Sequence, residues 1–166
     1  MKNNLTSQTF DFVVGKAFLH HLSIPVEKLF LKETARLLKP NGEARFFEPA
    51  VNSKILDEIR WHIPIGGRPS KLKKASFKKW KESDPHPNRS FSSNHFEKAG
   101  KEFFKEIKIT PVGTLERFSR FFAWGEKRNG YKRWALVNER YFPFNKTLAR
   151  GQLIVYNNPF SHDKND

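Results

Sequence analysis

A chain of 166 residues that is 37% hydrophobic and 14% aromatic can bury one ordinary core and is short for two full domains. No run approaches the roughly 18 apolar residues of a helical membrane span, and the polar opening Met1-Lys2-Asn3-Asn4 lacks a signal's apolar stretch, so a cytoplasmic protein is expected. The absence of cysteine excludes disulfides, thiolate zinc sites and cysteine nucleophiles, while a net charge of +14 favours anionic partners such as nucleic acid, phosphorylated small molecules or acidic lipid headgroups.

The first element is Phe10-Asp11-Phe12-Val13-Val14, a β-favouring run that stops at Gly15 as a buried strand feeding a loop does. Next, Ser23 supplies a cap, Pro25 a first-turn proline and Glu27 an early acid. Val26, Leu29, Phe30, Ala35, Leu37 and Leu38 then form the apolar side of a helix. A tight turn is expected at Lys39-Pro40-Asn41-Gly42, because proline cannot continue the hydrogen-bond ladder and Asn-Gly tolerates positive φ. Residues 43–47 read as a second strand closed by Pro49. Strand, helix, turn and strand make a βαβ unit with parallel strands, so the fold class is α/β.

Ile55, Leu56, Ile59 and Trp61 predict a helix over residues 52–61, followed by a loop carrying Gly66-Gly67 and Pro69. Residues 70–93 are polar, basic and broken by prolines, the composition of a loop or lid. Asn94 is placed to cap a helix through Phe96, Ala99 and Phe103, and residues 104–112 alternate as a half-buried strand does. A helical region is expected over residues 115–141, broken near Asn129-Gly130 and belonging to an insertion over 115–146. The last strand is residues 151–156, so the domain spans 1–157 and a polar tail covers 158–166.

Taken together, Phe10-Asp11-Phe12-Val13-Val14, Leu19-His20-His21-Leu22, residues 35–42 and Phe46-Phe47-Glu48-Pro49 resemble the second half of a class I S-adenosylmethionine-dependent methyltransferase. The resemblance implies a partial Rossmann-like sheet whose strands are equivalent to the family's fourth to seventh, with residues 96–100 and 104–109 as a helix and sixth strand. Residues 151–156 become the antiparallel seventh strand, preceded by the helical insertion. In that family a glycine-rich loop and a ribose-gripping acid precede this segment, and neither occurs in the nine residues before Phe10. The expectation is therefore a truncated domain that transfers a methyl group to a small-molecule acceptor only in its intact parent. S-adenosylmethionine binding alone is expected to be weak or absent, and a missing N-terminal half or self-association is the expected partner.

The candidate sites follow. Gly15, Lys16, Ala17 and Phe18 lie past the carboxyl end of a parallel strand, where open α/β sheets bind ligands. By resemblance they face the methionine end of the cofactor; the competing reading is an ordinary strand-to-helix loop. His20 and His21 are candidate bases or substrate-orienting groups, against a structural or merely exposed role. Glu48 is a candidate for bonding a substrate hydroxyl or amine, against capping the helix that begins near Asn52.

An alternative function, a non-enzymatic basic module binding nucleic acid or another anion, rests on Lys73, Lys74, Lys78, Lys79 and Trp80 within residues 71–81. Leu72, Phe77 and Trp80 serve equally well to anchor a solvated basic helix to the core. Aromatic residues of the Arg117–Trp124 stretch repeat at helical spacing and favour a core or domain interface. His62, His86, His95 and His162 show no metal-ligand spacing, so no metal is expected.

Overall fold

The computed structural model describes residues 4–63, 69–83 and 91–160. Among the described residues four strands form one sheet: β1 (Phe10–Lys16), β2 (Leu38–Pro49), β3 (Phe104–Val112) and β4 (Gly151–Pro159). Their spatial order is β1-β2-β4-β3, with β1 and β2 parallel and β4 antiparallel to both β2 and β3. The helices are α1 (Ile24–Leu37), α2 (Lys54–His62), α3 (Lys74–Glu82), α4 (Ser93–Lys101), α5 (Glu126–Asn138) and α6 (Asn145–Leu148). Among the described residues no helix is long and apolar enough to cross a membrane.

Strand parity decides which side of the sheet is covered. Paired positions Val13, Ala44, Tyr156 and Ile107 form one row, and Phe46, Ile154 and Ile109 the next, all pointing to one face. There they meet Leu31 and Ala35 of α1 and Phe96 and Ala99 of α4 to make the core. Burial of Phe46, Ile154 and Tyr156 contributes about 1.5–3 kcal/mol each. Tyr156 lies flat on Phe104, and its hydroxyl donates to the Phe96 carbonyl at 2.8 Å. Gly100 makes that approach possible, since a Cβ there would overlap the Tyr156 ring.

The opposite face is bare among the described residues. Phe12 and Val14 are 60% and 74% exposed, and Phe47 and Leu153 also stand open to solvent. Arg45 pairs with Glu43 on this face and lays its guanidinium near the Phe12 ring. β1 forms one edge of the sheet.

Several elements differ from the sequence-based expectation. Helix α1 stops at Leu37, where Leu38 turns extended and donates its N–H back to the Thr34 carbonyl. The expected turn at Pro40-Asn41-Gly42 lies within β2 as an irregularity, the pairing jumping from Phe10 with Leu38 to Phe12 with Glu43. Leu38, buried in the core, carries the chain straight from helix to sheet. Helix α2 begins at Lys54, with Ser53 as its cap accepting from the Leu56 N–H, and Ser92 rather than Asn94 caps α4, accepting from the His95 N–H.

The lid expected over 70–93 contains α3, while its residues 84–90 lie outside the described residues, as do Gly66-Gly67, His86 and His162. Helix α5 runs through Asn129-Gly130 without a break, because a solvent-facing glycine costs a helix only about 1 kcal/mol. The break falls at Gly125, whose φ of 131° lies in the left-handed region and separates α5 from a 3₁₀ turn at Glu116–Phe121. Strand β4 runs three residues beyond the expected 151–156, ending at Pro159.

Candidate functional site

Parallel pairing of β1 and β2 sets the carboxyl ends of both strands side by side. Lys16 closes β1, and Glu48 stands one residue from the end of β2. Parity along β2 turns Glu48 to the same face as Ala44 and Phe46, so its side chain is buried completely. The loop leaving β1 wraps over it.

Glu48 Oε1 accepts from the backbone N–H of Phe18 at 2.9 Å and of Leu19 at 2.8 Å. Oε2 accepts from the His20 N–H at 3.3 Å, and His20 Nδ1 lies 2.7 Å from it, a distance satisfied by the ring N–H donating to the carboxylate. One carboxylate therefore neutralises three successive amide donors of a 3₁₀ turn and holds the imidazole. Ala17, at φ 51°, turns the chain into this arrangement and donates its N–H to the Phe47 carbonyl at 2.8 Å. Glu48 does not cap α2, the alternative weighed from sequence, because it points into the sheet's covered face while Ser53 takes the capping role.

The remaining candidates surround this clamp. Gly15 lets the Phe46 ring press against the backbone, since a Cβ would meet that ring at 2.7 Å. Lys16 and Ala17 are exposed; Phe18 is 41% exposed, with its ring edge-on to Phe30 at 5.1 Å. His20 is buried, edge-on to Phe91, whereas His21 is exposed with its ring 4.1 Å from that of His20. The structure thus brings Gly15, Lys16, Ala17, Phe18, His20 and Glu48 into one loop-and-strand unit and leaves His21 on its outer side.

A buried polar network unforeseen from the sequence extends the unit. Gln152 pairs with Glu48 across β2 and β4 and is itself fully buried. Its amide donates to the carbonyls of Pro49 and Phe91, both at 2.9 Å, and its Oε1 accepts from the Ser93 hydroxyl at 2.8 Å. Asn52 Oδ1 accepts from the Ser93 N–H at 2.8 Å, and Asn52 Nδ2 donates to the Lys146 carbonyl at 2.7 Å. A glutamine inside the apolar run Gly151-Gln152-Leu153-Ile154-Val155-Tyr156 was the available signal.

The basic segment lies elsewhere. Trp80 and Phe77 pack against Trp61 of α2, with all three centroid separations between 5.5 and 5.9 Å. Lys71 donates to Glu58 at 2.6 Å, and this hydrogen bond, reinforced by the ammonium charge, holds the Glu58 carboxyl below its ordinary range. Lys73, Lys74, Lys78 and Lys79 are exposed. The aromatic stretch expected to be core or interface leaves Phe118, Phe122 and Trp124 on the surface, Trp124 at 85% exposure beneath the Arg128 guanidinium. Among the described residues no cluster of three or more His, Asp or Glu is placed to hold a metal ion.

The family described as "Methyltransferase domain" matches residues 1–46. No curated protein matches the chain. Solved structures share its fold. A SAM-dependent methyltransferase from Archaeoglobus fulgidus superposes with a TM-score of 0.56 at 14% identity, over 93% of this chain and 62% of its own. Phosphoethanolamine N-methyltransferase 2 of Haemonchus contortus, bound to phosphomonomethylethanolamine and S-adenosylhomocysteine, gives 0.51 at 14% identity, over 94% and 35%. Geranyl diphosphate C-methyltransferase of Streptomyces coelicolor gives 0.51 at 10% identity, over 95% and 48%. The chain thus spans less than two thirds of the length of each.

Proposed function

We propose that the chain, whose residues 1–46 match a methyltransferase-domain family and whose fold is shared with a SAM-dependent methyltransferase, supplies one wall of an S-adenosylmethionine-dependent active site. The Glu48-clamped loop at the carboxyl ends of β1 and β2 carries this reading. It lies where open α/β sheets bind ligands, adjoining the matched segment.

The residues present fit the cofactor as a wall, not as a complete cradle. The N–H groups of Ala17, Phe18, Leu19 and His20 are already committed to Phe47 and Glu48. What the loop offers a ligand is its outward surface, Lys16, Ala17 and Phe18. Glycine-loop contacts to the methionine end and an acid for the ribose come from another segment, placed along the β1 edge and over the bare sheet face. When bound, S-adenosylmethionine supplies an activated methyl group on a sulfonium. This chain's part is alignment, which is most of what methyl transfer needs.

Glu48 is a positioning residue in this reading. Fully buried and surrounded by four donors, it fixes the loop that faces the cofactor instead of meeting the acceptor. His20 shares that role through Nδ1, while exposed His21 is the histidine placed to meet a small-molecule acceptor. Alone, the chain is expected to bind S-adenosylmethionine more weakly than about 1 mM or not at all.

Isothermal titration calorimetry with S-adenosylmethionine tests this directly. Micromolar binding by the chain alone overturns the need for a second segment. Adding a polypeptide that supplies a strand and glycine-rich loop restores micromolar binding if the reading holds, and amide shifts at residues 15–18 locate it. Restored binding without those shifts sinks the assignment of this wall.

A further inference from the structure

Helices α2 and α3 stand off the core, and neither contains a fully buried residue. They hold each other through the Trp61, Phe77 and Trp80 rings and through the Lys71–Glu58 ion pair. On α2, Leu56, Asp57 and Arg60 face the body of the protein, lining a small cavity with Thr147, Leu148, Ala149 and Arg150. The outward side sets isoleucines among Lys54, Glu58 and His62, with Glu58 neutralised by Lys71. Ile55 is 74% exposed and Ile59, one turn on, 52%; Ile63 continues the stripe at 53%. Leu72, at the entrance to α3, is 68% exposed.

Four ammonium groups follow Leu72 directly. Lys73, Lys74, Lys78 and Lys79 are exposed and, among the described residues, take part in no ion pair. Exposed aliphatic side chains beside unpaired lysines are the composition that binds the boundary between headgroups and acyl chains. We propose that the α2–α3 hairpin docks on an anionic membrane surface. Ile55, Ile59, Ile63 and Leu72 enter the interface, and Lys73, Lys74, Lys78 and Lys79 pair with lipid phosphates. The proposal is independent of methyl transfer.

Two other occupants fit less well. Nucleic acid is gripped by lysines together with aromatic planes that stack on bases, but the three rings of this hairpin pack on one another and the exposed apolar groups are aliphatic. A second copy would bring identical lysine clusters together in a closed dimer, where like charges repel.

Co-sedimentation with vesicles tests the proposal. The full chain pellets with equimolar phosphatidylcholine and phosphatidylglycerol, does not pellet with phosphatidylcholine alone, and is released as salt rises. Replacing Lys73, Lys74, Lys78 and Lys79 by glutamine weakens vesicle affinity about fivefold per lysine. The pair Ile55→Asn and Ile59→Asn also abolishes pelleting, with an unchanged circular dichroism spectrum because both side chains are exposed. Any of three results overturns it: vesicle binding unaffected by both sets of substitutions, tighter binding to labelled duplex RNA than to anionic vesicles, or a dimer in solution that the isoleucine substitutions dissociate while no vesicle binding is seen.

Discussion

Replacing Glu48 by alanine is the substitution that separates a loop-positioning carboxylate from one used only on a substrate. The change removes the carboxylate that accepts from the amide N–H groups of Phe18, Leu19 and His20 and that lies against His20 Nδ1. Water reaches Phe18, which is 41% exposed, but not Leu19 at 0% or His20 at 6%. Two buried amides then lose the carboxylate that accepts from them, at about 1–3 kcal/mol each. Removing the buried charge returns part of that, since its desolvation no longer has to be met. A net loss of about 3–4 kcal/mol is expected, a large share of the roughly 5–15 kcal/mol that stabilises an ordinary domain. Glu48→Gln keeps an acceptor for Phe18 and Leu19 but presents an NH₂ to the His20 N–H, and is expected to cost about 1–2 kcal/mol. Urea unfolding followed by circular dichroism measures both, with the slope checked for constancy. Hydrogen exchange at Leu19 and His20 supplies the local readout. If Glu48→Ala unfolds within about 0.5 kcal/mol of the parent, or the two amides keep their protection, the clamp described for this loop is wrong.

Four further outcomes follow from the geometry. Gly100→Ala forces a Cβ into the Tyr156 ring, which Phe104 and the bond to Phe96 hold in place; about 1–3 kcal/mol is lost, read as a drop in Tm of about 2–4 °C per kcal/mol. Gln152→Leu removes a donor from the Pro49 and Phe91 carbonyls and the acceptor of the Ser93 hydroxyl, although Phe91 keeps the Val51 N–H and Ser93 Oγ keeps the Asn52 amide, and destabilises by about 1–3 kcal/mol in the same urea assay. Ser92→Ala removes the cap of α4 and costs about 1 kcal/mol, with faster amide exchange at His95 as its local mark. Because Lys71 depresses the Glu58 pKa, the pair stabilises above the ordinary glutamate value and is lost as pH falls through the lowered one. An NMR titration is expected to show the Glu58 midpoint below that of an unpaired glutamate and to show it rise in Lys71→Gln.

Local chemistry made much of the fold legible from residues alone. The β-favouring run at Phe10, the first-turn Pro25 of α1 and the alternation of β3 act within a few positions, so their signal is contained in a short window. The parallel pairing of β1 with β2 followed from the strand–helix–strand order, and the antiparallel last strand from the family resemblance. Where two local signals conflicted, packing decided. Pro40-Asn41-Gly42 reads as a turn, yet buried Leu38 draws the chain into the sheet, and the three residues become an irregularity in β2. Asn129-Gly130 reads as a break, yet a helix on the surface carries a glycine at small cost.

The site divides in the same way. Gly15, Lys16, Ala17, Phe18, His20, His21 and Glu48 were singled out because they lie at or just past the carboxyl ends of the two strands of a βαβ unit, and the structure leaves His21 on the outer side of that unit. The role of Glu48 was not recognisable, since its partners lie 28 to 30 residues earlier in the chain and were brought to it by strand register. A shift of one residue along β2 would have turned that carboxylate to the bare face, into water. Residue chemistry within short windows was enough to require a βαβ unit with its loop at the strands' carboxyl ends. That Glu48 is locked beneath that loop and Gln152 beside it came from the folded sheet, because side-chain parity and partner identity depend on strands distant in sequence.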